Sequence, residues 1–83
     1  MRVTVRLFAI LRDRAGVSAL EVELPQGATV ETACEKVLER FPVIGAWLGK
    51  SACALNREYC SMDAALKDGD ELALIPPVSG GVA

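Results

Sequence analysis

Few residues in this chain could carry chemistry. Gly80 and Gly81 stand near its C-terminal end, behind Pro76-Pro77, and Cys34, Cys53 and Cys60 are its thiols. Histidine is absent, which removes the commonest general base near neutral pH and the usual partner of a Ser or Cys nucleophile. No Cys-x-x-Cys pair and no Walker-type phosphate loop occurs, so neither a metal set nor a nucleotide site is read. The thiols are odd in number and read as reduced. Cys34 falls on the apolar stripe of a predicted helix and Cys53 in an apolar strand, both as small buried hydrophobes; Cys60 has no such assignment. A self-contained enzyme is disfavoured.

That leaves the tail, Pro76-Pro77-Val78-Ser79-Gly80-Gly81-Val82-Ala83. It carries no side chain of catalytic type, and its prolines forbid a place inside a sheet. Whatever it does, it does as backbone. The prolines stiffen its base in an extended form, and the glycines make a thin strip that can pass a narrow channel and approach reacting atoms closely. From Pro77 to Gly81 the reach is at most ~18 Å. Glycines near a chain end also occur in idle termini; the order stiff, then thin, directly after a folded domain is what favours use.

The elements that must position this tail follow from periodicity. Over 2–9, Val3, Val5, Leu7 and Ala9 alternate with Arg2, Thr4 and Arg6, a half-buried strand whose polar face Phe8 interrupts. A helical turn around 10–14 leads to Gly16, suited to the positive φ that closes such a turn. Residues 19–24 alternate again, Leu20, Val22 and Leu24 inward, and end at Pro25-Gln26-Gly27. One strong helix follows, with Thr29 as N-cap, Glu31 in the first turn, and Val30, Ala33, Cys34, Val37, Leu38 and Phe41 on one stripe until Pro42 stops it. Val43 to Lys50 is an apolar connector in which Trp47 reads as a core lid rather than a ligand platform. A short strand at 52–56, a turn at 56–58, a brief pairing at Tyr59, a helical or looping segment at 64–70 and a final strand at 71–75 complete the chain.

Strand, strand, helix, short strands, strand describes an α+β fold: a mixed sheet with one main helix packed on one face. The β-grasp (ubiquitin-like) arrangement fits, with the last strand central beside the first. Residues 1–76 form that domain and 77–83 a flexible C-terminal Gly-Gly tail. Val5, Leu7, Leu20, Val22, Val37, Leu38, Leu72 and Leu74 are expected in the core. The chain has 83 residues, enough to bury roughly 60–65% of its unfolded surface.

Composition narrows the partners. Nine Lys and Arg against eleven Asp and Glu give a net charge of −2, without a basic run or an aromatic series for stacking bases, so nucleic acid is not expected. No apolar run approaches the ~20 residues of a membrane span, and Met1-Arg2-Val3 opens into a strand pattern rather than a signal peptide, which reads as cytoplasmic with no membrane partner.

Leu7-Phe8-Ala9-x-Leu11-Arg12, Gly16 and Pro76-Pro77-Val78-Ser79-Gly80-Gly81 resemble the small, sulfur-carrying subunits of molybdopterin synthase, within the ubiquitin-like ThiS/MoaD-type family. The likeness covers nearly the whole chain. A Pro-Pro-Val-(Ser/Ala)-Gly-Gly ending separates that subfamily from ubiquitin and from the thiamine-pathway carrier. The resemblance implies that a ubiquitin-activating-type adenylyltransferase, using ATP, adenylates the Gly81 carboxylate, and that a sulfur donor converts it to a thiocarboxylate. Pro77, Val78, Ser79 and Gly80 would thread into the large subunit of molybdopterin synthase, in a heterotetramer, where the sulfur passes to cyclic pyranopterin monophosphate. Catalytic side chains would come from that subunit, and the carrier itself would bind no cofactor and no metal.

One departure stands out: Gly81 is followed by Val82 and Ala83, whereas the family ends at the second glycine. Trimming, a fusion with the large subunit, and a carrier inactive as encoded are the open explanations. Two other functions stay open as well: a carrier for another pathway (tRNA thiolation, cysteine or thiamine synthesis), and a ubiquitin-like modifier or interaction module. For partner contact, Phe8 and Ile75 each break the inward register of a strand and form either an apolar docking patch or a buried pair. Arg12, Arg14, Lys67 and Asp68 read as ordinary solvated charges.

Overall fold

Alternation along the first strand builds the core. In β1 (Arg2–Leu7), Val3, Val5 and Leu7 are fully buried while Arg2 and Arg6 face solvent. β2 (Ala19–Glu23) pairs with it antiparallel, and Leu20 and Val22 join the same buried face. β5 (Glu71–Ile75) pairs with β1 in parallel, Leu72 beside Val5 and Leu74 beside Leu7. The hairpin of β3 (Ala52–Leu55) and β4 (Glu58–Cys60) completes the sheet on the far side of β5. The strand order β2-β1-β5-β3-β4 therefore puts the last strand at the centre, and with α2 (Val30–Arg40) packed on one face this is a β-grasp sheet. This computed structural model describes residues 1–77; Val78, Ser79, Gly80, Gly81, Val82 and Ala83 lie outside the described residues, and with them most of the expected tail.

β1 is two residues shorter than the alternation predicts. Phe8 is still extended, but Ala9 takes φ 51° and starts α1 (Ala9–Ala15), so Ala9 is exposed rather than inward. Leu11 anchors α1 in the core and Gly16, at φ 82°, ends it.

α2 buries Val30, Ala33, Cys34 and Val37. Leu38, expected in the core, is instead 37% exposed. At about 100° per residue, position 38 lies at the edge of the stripe centred on 30, 34, 37 and 41, so its side chain reaches the flank toward Gly45 and Leu48. Thr29 occupies the N-cap position, yet its side chain makes no capping bond. The first N–H groups of the helix are taken by the loop after β4: Val30 N–H donates to Ala64 O at 3.0 Å and Glu31 N–H to Met62 O at 2.9 Å. Backbone has replaced the cap. Segment 64–70 is accordingly loop, tied down by the Thr29–Ala65 bridge.

Pro42 stops α2 and opens a 3-10 turn, Pro42–Ile44, followed by the four-residue α3 (Gly45–Leu48). Ile44 is fully buried, and Trp47 and Leu48 pack against the core from the side. The β3–β4 turn has positive φ at both Asn56 (51°) and Arg57 (74°), as a tight two-residue hairpin of the right twist needs. Asn56 is held there. Its Nδ2 donates to Asp70 Oδ1 at 2.9 Å, its Oδ1 accepts from Glu71 N–H at 3.0 Å, and Asp70 Oδ2 accepts from Lys67 N–H at 2.7 Å. That arrangement satisfies Asp70, the one buried charged residue among those described. No helix among the described residues is long and apolar enough to cross a membrane.

Candidate functional site

Parallel pairing of β1 and β5 ends both strands at the same edge of the sheet. Leu7 is opposite Leu74, so the residues that follow, Phe8 on one strand and Ile75 on the other, emerge side by side. The backbone diverges there. Ala9 turns one chain into α1 with a left-handed φ of 51°, a conformation that costs a residue with a Cβ roughly 1 kcal/mol. Pro76, buried, and Pro77, exposed, carry the other chain out of the sheet toward the tail.

An apolar groove of about 640 Å³ opens at this point, lined by Phe8, Ala9, Ile10, Trp47, Lys50, Ile75, Pro76 and Pro77. Phe8 is 37% exposed and Ile75 half-buried, so neither is covered by the opposite face. Trp47 forms the far wall. It packs on the core as a lid and lines the groove as well; the Arg14 guanidinium lies 5.3 Å from its ring centroid, a cation–π contact worth about 0.5–1 kcal/mol at an exposed site.

Phe8 also walls a second, shallower groove of about 290 Å³ on the open face of the sheet, with Arg6, Ala54, Arg57, Glu71 and Ala73. Arg6 Nη1 bonds Glu71 Oε2 across it at 3.2 Å. Tyr59, opposite Ala54, is 79% exposed beside it. Phe8 is thus shared by two grooves, one with Trp47, Lys50, Ile75 and Pro77 at the root of the tail and one with Ala54, Arg57 and Ala73 on the open face.

Among the described residues the two grooves hold no thiol and no carboxylate pair, and most of the first is apolar. Large exposed apolar surface rimmed by charge is what a partner buries. The thiols lie elsewhere. Burial pushes the Cys34 thiol up to about 12 and the Cys53 thiol up to about 11, so both stay protonated near neutral pH. Among the described residues no cluster of His, Cys, Asp or Glu could hold a metal ion.

The structure thus brings Phe8 and Ile75 together with Pro77, and leaves Lys67 and Asp68 at the opposite end of β1, where Asp68 Oδ1 accepts from Arg2 N–H at 2.7 Å. Arg12 is paired locally with Asp13; Arg14 does not line the groove but contacts one residue that does, Trp47. Gly81, Gly80, Ser79 and Val78 lie outside the described residues. Sequence reasoning missed Ile10, Lys50, Arg57 and Ala73 as lining residues. Only Ala73 left a signal, as a small residue between Leu72 and Leu74 on the outward face of β5; the others are joined by tertiary packing.

Known proteins share this layout. The ThiS family matches residues 5–81. The molybdopterin synthase sulfur carrier subunit of Chlamydomonas reinhardtii is 40% identical over 83 residues, covering 98% of this chain and 100% of its own. SAMP1 of Haloferax volcanii is similar in structure with a TM-score of 0.90 at 31% identity, over 98% of this chain and 100% of that one. A chain in the complex of subunits 1 and 2 of the molybdopterin-converting factor from Helicobacter pylori matches with a TM-score of 0.69 at 30% identity, over 98% and 100%. A family match that begins in β1 and runs through Gly81, on a β-grasp sheet of the same layout as these relatives, shows that the chain belongs to the ThiS family.

Proposed function

We propose that this chain is a sulfur carrier for molybdopterin synthesis, with the Gly81 carboxylate as its working group. Removal of Val82 and Ala83 frees that carboxylate, since an amide carbonyl offers ATP no anionic oxygen. A ubiquitin-activating-type adenylyltransferase then joins it to AMP with loss of pyrophosphate. A sulfur donor displaces AMP and leaves the thiocarboxylate. The apolar groove at the root of the tail docks on the large synthase subunit through Phe8 and Ile75, while Pro77 to Gly81 threads into its active site. There the sulfur passes to cyclic pyranopterin monophosphate and the carboxylate returns. The carrier brings a leaving sulfur and a docking face; catalytic side chains belong to the large subunit, in a heterotetramer.

The observation that carries this reading is the end-to-end likeness to a molybdopterin synthase sulfur carrier subunit. The Helicobacter pylori complex of subunits 1 and 2 supports the partner, and the apolar groove at the base of Pro77 supports the mode of docking. A second reading, a ubiquitin-like modifier, is favoured by the similarity to SAMP1; a carrier for another sulfur pathway shares the same tail chemistry.

One reconstitution separates them. The chain ending at Gly81 and the 83-residue chain are each incubated with activating enzyme, ATP and a sulfur source, then with large subunit and cyclic pyranopterin monophosphate. The shorter chain is expected to gain the mass of one oxygen exchanged for sulfur and to yield molybdopterin. Thiocarboxylate without molybdopterin would move the sulfur to another pathway, and lysine-linked conjugates would favour the modifier.

A further inference from the structure

Cys53 and Cys60 face each other across the β3–β4 ladder. Directly opposed residues of an antiparallel pair have Cα atoms about 4.5–5.5 Å apart, inside the 4.4–6.8 Å span of disulfides. Their sulfurs are already 3.7 Å apart, and the Cys53 thiol donates to the Cys60 carbonyl at 3.3 Å. The two differ in access: Cys53 is buried in the core, whereas Cys60 is half-buried on β4, the edge strand of the sheet. Cys34, the third thiol, is buried on α2. Packing alone does not require a second sulfur at position 60, which lies at the partly buried margin of the core.

We propose that Cys53 and Cys60 form an oxidisable dithiol that exchanges with low-molecular-weight disulfides of the glutathione class to close a cross-strand disulfide. The Cys60 thiolate attacks one sulfur of the oxidant; the sulfur–sulfur bond breaks and one glutathione thiol leaves, giving a mixed disulfide on the edge strand. Cys53 loses its proton to the surrounding base and attacks the Cys60 sulfur, releasing the second glutathione thiol. Two protein thiols are oxidised and one disulfide is reduced to two thiols, so electrons balance without a metal or oxygen. Burial favours the neutral Cys53 thiol, which makes it the resolving rather than the attacking group. The closed link staples the β3–β4 hairpin, whose outer face bears Ala54 and Tyr59. It is independent of the reading of the tail.

The test uses the full chain in native buffer with oxidised glutathione, followed by intact mass, peptide mapping and thermal unfolding. The expected product lacks the mass of two hydrogen atoms, carries one intrachain Cys53–Cys60 link, keeps Cys34 as a thiol, and melts roughly 10 °C higher. Dithiothreitol reverses all three changes. C53A is expected to stop at a glutathione adduct on Cys60, and C60S to take no adduct over the same time. A wild-type chain that stays reduced, stops at the adduct, or links through Cys34 or a second chain overturns the proposal, and that measurement does not depend on either variant folding.

Discussion

The two faces of the β1–β5 pair are made by neighbouring residues of the same two strands, yet they do opposite things. On the helix side Val3, Val5, Leu7, Leu72 and Leu74 are buried to within 1%. On the open side Arg6, Glu71, Ala73 and Ile75 line grooves that no other described residue fills. Alternation in an extended strand puts the packed core and the open grooves one residue apart. The proposed docking on the open face would separate stability and function by residue parity, and substitutions can test that separation face by face.

The largest effect is expected on the buried side. Leu72→Ala removes a fully buried side chain at the centre of the sheet and should cost about 2–5 kcal/mol. For a domain of this size that is a fall in Tm of at least ~8 °C. A loss below ~1 kcal/mol by denaturant titration would mean that the core collapses around the gap, and the contrast between faces would weaken.

On the open side the expected order reverses: folding stays and binding goes. Phe8→Asp puts a charge in the wall shared by both grooves, where docking would have to desolvate it. Affinity for the large synthase subunit should fall at least ~10-fold, which is about 1.4 kcal/mol, while Tm moves by no more than a few degrees. Ile75→Asp should behave the same way. Unchanged affinity in a titration calorimeter would show that the partner sits elsewhere.

Leu38 shows how much of this was legible beforehand. The period of 3.6 placed α2 correctly and chose Val30, Ala33, Cys34 and Val37 as its buried stripe, but it cannot say how wide a stripe the sheet covers, and position 38 falls just outside. Leu38→Ala should therefore cost about 1 kcal/mol or less, well under the core value, by thermal unfolding. Thr29 teaches the same lesson from the other side: its type marked the helix start, but the long-range loop at Met62–Ala64, invisible to local pattern, took the capping role. The strand order was readable because two strongly apolar strands, β1 and β5, can both be covered only by pairing centrally. Of the site, Phe8 and Ile75 were readable as breaks in alternation. Trp47, Lys50 and Arg57 were not, since the groove exists only after α3 and the β3–β4 turn have been packed beside β1.

The smallest effect is expected at Arg6 and Glu71, and it bears most directly on the comparison. Their contact, 3.2 Å between Nη1 and Oε2, crosses from β1 to β5 in the middle of the open face, with side chains 50% and 38% exposed. An exposed pair of this kind gains little Coulomb energy in high dielectric and loses side-chain freedom, so it contributes about 0.2–1 kcal/mol at most. It cannot be what holds the two central strands together; Val5, Leu7, Leu72 and Leu74 beneath it are. Arg6→Gln should thus lower stability by less than ~1 kcal/mol, with the difference shrinking further as salt is raised. The same change removes a cation from the rim of the groove that Phe8 and Ala73 share, so its effect on the association rate with a partner should exceed its effect on folding. A stability loss of ~2 kcal/mol or more, measured at low and high salt, would place folding energy on the open face and end the division of labour by parity.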